Sequence, residues 1–176
     1  MSYLNEGNGI HYLCNYIPYR LQSGEVNPRF DRKSGLILDV KSDEIKGINY
    51  FLPLLDELIP DGVAIAVVPS HNPQKTDGGL YRLARNLASQ NNRIDATSCL
   101  IRKYMIDKLA NGGNRQIEVH MRSIGITNSQ LVKNQKVIVL DDVTTTGNSL
   151  LACQKILLSA GASKVKLIAL GQTEGY

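Results

Sequence analysis

The sequence predicts an α/β fold: one domain built on a mainly parallel twisted sheet flanked by helices. Three observations carry this. Val63 to Val68 is an uninterrupted apolar run rich in β-branched residues, the pattern of a strand buried on both faces. Val137 to Leu140, Asp141 to Gly147, Ser149 to Ala160 and Val165 to Leu170 read in turn as strand, loop, helix and strand, a βαβ unit. The chain has 176 residues, 43% of them hydrophobic, enough for a domain that buries roughly 70% of its unfolded surface without a metal or disulfide.

In chain order, Met1 to Lys41 is the least legible part. It has turn residues at Gly7, Gly9, Gly24, Pro28 and Gly35, then a short strand-like run at Leu36 to Val40. Ser42, Asp43 and Glu44 form a helix start with acids at the positive end of the dipole, and Pro53 should kink or end that helix. Residues 1–60 are therefore expected to be a variable region, not an independent domain, and 61–176 the core. After Pro69 a polar loop runs from Ser70 to Gly79. Leu80, Leu83, Ala84, Leu87 and Ala88 then recur at helical spacing, with Arg82 and Arg85 on a solvated face. Ile94 to Ile101 holds a further strand, and Asn111 to Asn114 is a breaker. Ile117, Val119 and Met121 alternate with Glu118, His120 and Arg122, as in a strand with a polar surface side. Gly161 is a natural helix stop.

Net charge is +4, a mild excess that suits phosphate-bearing small molecules as well as nucleic acid and settles neither. No basic-aromatic stripe supports a nucleic-acid partner. Cys14, Cys99 and Cys153 are scattered and odd in number, which argues against a disulfide framework or thiolate zinc site and fits a reducing cytoplasm. The longest apolar run falls far below the ~18 residues of a membrane helix, and no signal-peptide pattern opens the chain.

The chemical signal lies in Val137-Ile-Val-Leu-Asp-Asp-Val-Thr-Thr-Thr-Gly-Asn-Ser149. Asp141 and Asp142 stand where a buried strand emerges, the place where open α/β sheets bind ligands. They can accept hydrogen bonds from vicinal sugar hydroxyls or metal-bound water. Thr144, Thr145, Thr146, Gly147 and Ser149 follow with small hydroxyls and backbone amides at a helix N-terminus, a combination that cradles phosphate. The dipole contributes only ~0.3–1 kcal/mol, so hydroxyl donors must carry much of the affinity. Gly147 suits a close backbone approach or a positive φ. No Walker A pattern is present. The spacing suggests a ribose phosphate; a capped βα turn with two solvated aspartates is the alternative.

This stretch resembles the phosphoribosyl pyrophosphate motif of type I phosphoribosyltransferases, with Thr144 where many members carry an apolar residue. The resemblance implies that Asp141 and Asp142 hold the ribose 2′- and 3′-hydroxyls, and that Thr144, Thr145, Thr146, Gly147, Asn148 and Ser149 hold the 5′-phosphate. Val67-Val-Pro-Ser-His71 is similar to the family's pyrophosphate loop, with Ser70 and His71 as donors and Lys75 as a charge partner. Taken alone, His71 is a solvated loop histidine. Arg102 and Lys103 resemble the family's Arg-Lys pair opening a flexible arm over pyrophosphate, hinged at Gly112 and Gly113; a basic surface dipeptide is the alternative.

Segment order over Val63 to Leu170 is nearest to the competence-protein-F-like branch, without the N-terminal cysteine cluster many of its members carry. The resemblance makes residues 1–60 a substrate hood. It implies Mg²⁺-dependent transfer of a phosphoribosyl group from phosphoribosyl pyrophosphate to a nitrogen nucleophile. Asp141, Asp142 and Lys103 would be the catalytic residues, and the metal would be held mainly by ligand and water, with Asp141 or Asp142 as the nearest protein oxygens. A homodimer follows by analogy. The other reading is a non-catalytic regulatory module that binds phosphoribosyl pyrophosphate or a nucleotide.

Overall fold

The computed structural model describes residues 5–7, 9–106 and 117–174. The expected breaker at Asn111 to Asn114 and the hinge glycines Gly112 and Gly113 lie outside the described residues. In chain order the elements are β1 (Asn5–Gly7), β2 (Ile10–Tyr16), α1 (Arg32–Lys41), α2 (Ile45–Leu58), β3 (Ala64–Val67), α3 (Gly79–Ala88), β4 (Ile94–Asp95), β5 (Leu100–Arg102), α4 (Ile117–Ser123), β6 (Ile124–Ile126), β7 (Lys136–Thr144), α5 (Asn148–Ser159) and β8 (Lys164–Thr173).

The main sheet has the order β1-β2-β8-β7-β3-β4; β2, β8, β7, β3 and β4 are mutually parallel and β1 is antiparallel at the edge. Helices cover both faces, so the predicted fold class holds. The pleat sorts side chains strictly. Ile65, Val67, Ile138, Leu140, Ile168 and Leu170 pack with α1, α2 and α3. Ala64, Ala66, Val137, Val139, Leu167 and Ala169 pack with Leu150, Cys153 and Leu157 of α5. A separate antiparallel ribbon joins β5 to β6. Among the described residues no helix is long and apolar enough to cross a membrane.

Four expectations need correction. Leu36 to Val40 is part of helix α1 rather than a strand: Asp31 caps it by accepting from Ser34 N at 2.7 Å, and Leu36, Ile37 and Val40 are buried on one side. A five-residue run with four apolar residues and Asp39 fits either period, and the cap decides it. Helix α2 does not end at Pro53, one of the two outcomes expected there, but continues to Leu58. Ile48, Phe51 and Leu55 are fully buried, and their burial outweighs one lost backbone hydrogen bond. Residues 117–123 form helix α4 rather than a strand; the alternation of Ile117, Val119 and Met121 was too short to discriminate. The expected strand between Ile94 and Ile101 divides into β4 in the main sheet and β5 in the ribbon, separated by a turn in which Cys99 N donates to Ala96 O at 3.0 Å.

The first sixty residues supply β1, β2, α1 and α2. Leu13, Ile37, Val40, Ile48 and Phe51 share one apolar cluster with Ile65, Ile138 and Ile168, so the core is continuous across residue 60.

Candidate active site

Parallel strands bring their carboxyl ends to one edge. Val67 of β3 pairs with Leu140 of β7, and Thr144 of β7 with Gln172 of β8. Tyr16 of β2 pairs with Thr173 of β8. Ser70 and His71, the acid pair, the threonine loop and Tyr16 therefore gather at the carboxyl edge, the ligand side of such a sheet.

Strand β7 does not stop at Leu140 as the sequence suggested; it runs on to Thr144. Pleating consequently sends the adjacent carboxylates to different neighbours. Asp141 meets α5: its Oδ1 accepts from Asp142 N at 2.9 Å and its Oδ2 from Ser149 Oγ at 3.3 Å. Burial, reinforced by the neighbouring Asp142 carboxylate, pushes its pKa well above the ordinary carboxyl range, against the pull of Lys41 and Ser149. Asp142 meets α1: its Oδ1 accepts from Val143 N at 2.6 Å and lies 3.4 Å from Lys41 Nζ.

Lys41, the last residue of α1, was not anticipated. Its Nζ also sits 5.9 Å from the Tyr16 ring centroid. Burial works against the ammonium, but Asp142, then Tyr16 and Asp141, outweigh it and hold the pKa above its usual value. The Lys41 and Asp142 side chains are 37% and 27% exposed, so the pair stabilises the fold by no more than ~1 kcal/mol. The usable signal was a lysine in the last turn of a helix, which reading Leu36 to Val40 as a strand concealed.

The turn after β7 matches the hydroxyl-lined loop expected from sequence. Thr144 is 2% exposed and its Oγ1 has no hydrogen-bond partner. Thr145 Oγ1 lies 2.8 Å from Thr173 Oγ1, and Gln172 Nε2 donates to Thr145 O at 2.8 Å, tying the turn to β8. Thr146 is exposed. Gly147 caps α5 at φ +80°, where a Cβ would come within 2.3 Å of Ile10 Cδ1. Asn148 and Ser149 open the helix. Thr145, Thr146 and Gly147 form one wall of a cleft of ≈ 420 Å³, facing Gly7, Ile10 and Tyr12, with Gln172 beside them. Small hydroxyls beside the N-terminus of a twelve-residue helix suit an anionic group.

Ser70 and His71 are half-buried; Ser70 Oγ lies 3.5 Å from His71 Nδ1 and accepts from Asn72 N at 3.3 Å. Lys75 is exposed. Arg102 is 7% exposed, donating from Nε to Ser70 O (2.9 Å), from Nη1 to Ser123 Oγ (2.6 Å) and from Nη2 to Pro69 O (3.0 Å), so its guanidinium is buried behind the loop after β3. It ties β5 and α4 to the loop after β3. Lys103 is exposed, and its backbone N–H donates to Ser123 O at 2.8 Å. His120, expected on the surface, is 2% exposed with no partner at either ring nitrogen. Burial, and then Arg102, push its pKa down to about 4. Arg82 and Arg85 are held by Asp43 (2.5 Å) and Asp77 (2.9 Å).

A model of the phosphoribosyl transferase domain family matches residues 80–172, more than half of the chain. The chain belongs to this family. Among solved structures, it is similar to phosphoribosylpyrophosphate synthetase from Mycobacterium smegmatis at 18% identity and a TM-score of 0.37, covering 72% of this chain and only 31% of that one. It is also similar to purine phosphoribosyltransferase from Pyrococcus horikoshii Ot3 at 19% identity and a TM-score of 0.38, covering 73% of this chain and 81% of that one. No curated protein matches the sequence. The matched region begins in α3 and ends in β8, so it includes Arg102, Lys103, both acids and the whole hydroxyl loop, and begins after Lys41, Ser70 and His71.

Proposed function

We propose that this phosphoribosyl transferase domain moves a phosphoribosyl group from phosphoribosyl pyrophosphate to a nitrogen nucleophile. The observation that carries the reading is one edge holding two carboxylates beside a hydroxyl-lined helix N-terminus in which the Thr144 Oγ1 is buried without a partner. A buried hydroxyl left unpaired is costly, ~1–3 kcal/mol, and a bound phosphate oxygen would relieve it. Thr144 to Ser149 hold the 5′-phosphate, and Asp141 and Asp142 the ribose hydroxyls. Ser70, His71 and Lys103 serve the departing diphosphate. Arg102 acts on that group through the Pro69–Ser70 carbonyls it binds.

Asp141, Asp142 and Ser149 present oxygen donors suited to a hard cation, and no group of three or more His, Cys, Asp or Glu among the described residues could cage one. This donor set fits Mg²⁺ held mainly by ligand oxygens and water, with Asp141 or Asp142 as the nearest protein groups. When bound, Mg²⁺ offsets diphosphate charge. The protein's own part is positioning: the acids fix the ribose and, in their ionised form, set negative potential beside the carbon that becomes cationic as the diphosphate leaves.

The reading extends to a place near the competence-protein-F-like branch, to residues 1–60 as a substrate hood whose β2, α1 and α2 also share the core of 61–176, to a homodimer and to the cytoplasm. The second reading, a non-catalytic module sensing phosphoribosyl pyrophosphate or a nucleotide, draws on the committed donors of Arg102, which leave Lys103 as the exposed cation of the pair.

Two experiments test this. Asp141→Asn with Asp142→Asn is expected to abolish phosphoribosyl pyrophosphate binding in calorimetry while circular dichroism stays native; unchanged affinity would remove the site. Pyrophosphate release on screening purines, pyrimidines and simple amines separates the readings, since a sensor releases none with any acceptor.

A further inference from the structure

Lys41 lies outside every motif the sequence offered, yet it reaches the acid pair. The turn that carries it is fixed from several sides. Ser42 N donates to Leu38 O at 2.9 Å and Asp43 N to Val40 O at 3.1 Å, closing α1. Gly79 packs so tightly on that end that a Cβ there would sit 2.1 Å from Val40 O. Asp43 turns the chain at φ +64°, and Arg82 Nη2 donates to its carbonyl at 3.0 Å while pairing with its carboxylate. Tyr16, at the end of β2, walls the ammonium from another side.

We infer that Lys41 is a positioning residue for Asp142: with the Val143 amide it anchors one carboxylate oxygen, so that the other meets the vicinal hydroxyls of the ligand. This rests on the proposed ribose contact of Asp142. The geometry is specific: both donors converge on the same atom, Oδ1, at 2.6 Å from Val143 N and 3.4 Å from Lys41 Nζ. A carboxylate held through one oxygen cannot rotate freely. An ordered acceptor loses less entropy on meeting a diol than a swinging one. The competing role for Lys41, a cation complementing the α1 dipole, requires no effect on ligand discrimination.

The test compares two probes, ribose 5-phosphate and inorganic phosphate, by calorimetry on wild type, Lys41→Met and Lys41→Arg. Lys41→Met should weaken ribose 5-phosphate about tenfold and leave inorganic phosphate unchanged, because phosphate alone has no diol. Lys41→Arg should restore most of the loss. Equal weakening of both probes would make Lys41 a general electrostatic attractor, and no weakening of either would make it a helix-end cation; both overturn the inference. Asp142→Asn is the control on the underlying reading: if it leaves ribose 5-phosphate affinity intact, the diol contact itself is wrong. A loss there with none in Lys41→Met overturns the Lys41 role alone.

Discussion

The two sides of the acid pair, one residue apart in sequence, are built differently. Asp141 faces α5 among buried groups: Ser149 donates to it, and Cys153 and Arg102 are close enough to perturb one another. Asp142 faces α1, more open, with Lys41 and the Tyr16 ring beside it. The α5 side is supported by the buried Arg102 and Cys153, so removing that support should cost stability. The α1 side is supported by a partly exposed ion pair, so its perturbation should cost ligand affinity while the fold survives.

The largest effect should come from Arg102→Met on the buried side. Removing the guanidinium takes away the donors to the Pro69 and Ser70 carbonyls, at ~1–3 kcal/mol for each group left unpaired, while the Ser123 hydroxyl keeps its own bond to Val119 O at 2.7 Å. A loss of about 3 kcal/mol in urea unfolding is expected. A loss under ~1 kcal/mol would mean the tether is replaceable by water and that the two sides are less different than the geometry indicates. Gly147→Ala comes next. The added methyl meets Ile10 Cδ1 and forces a positive φ on a residue that disfavours it, together about 2 kcal/mol. An Ile10→Val change in the same chain should return part of that loss.

Titration sharpens the contrast further. The Asp141 pKa is raised in the fold, so the folded protein keeps a proton that the unfolded chain has already released above ~4. Stability from this group is therefore full at low pH and falls as pH rises through the raised value. Asp141→Asn lacks a titrating carboxyl, and its urea midpoint should gain on that of wild type as pH increases. A constant gap across neutral pH would show that Asp141 is already ionised without penalty.

The C-terminal half was legible because its signals are local. An apolar run, an acid pair, a threonine-glycine turn and an amphipathic helix occur consecutively, and β7, α5 and β8 follow within a residue or two of the expected bounds apart from the extension of β7 to Thr144 and of β8 to Thr173. The N-terminal half was not, because β2 is stabilised by parallel pairing with β8, far away in the chain, and nothing in Ile10 to Tyr16 announces that partner. The burial of Arg102 and His120 was hidden for a related reason. A basic or imidazole side chain reads as polar surface or as a ligand contact, and the carbonyls and hydroxyl that hold Arg102 inward, at Pro69, Ser70 and Ser123, are remote in the chain. Lys41 combined both difficulties: a misread helix and a contact with a distant strand.

The smallest expected effect is also the most informative about the open side. Lys41→Met removes a charge 3.4 Å from Asp142 Oδ1, but both side chains keep roughly a third of their surface in water. Exposed pairs of this kind contribute ~0–1 kcal/mol, because water solvates whichever partner remains. Urea unfolding should therefore move by less than about 0.5 kcal/mol, with the shift smaller still at high salt, where the Debye length shortens to ~3 Å. A loss above ~2 kcal/mol would place Lys41 among the structural supports of the sheet edge, and the division between a side that holds the fold and a side that holds the ligand would no longer follow the two faces of β7.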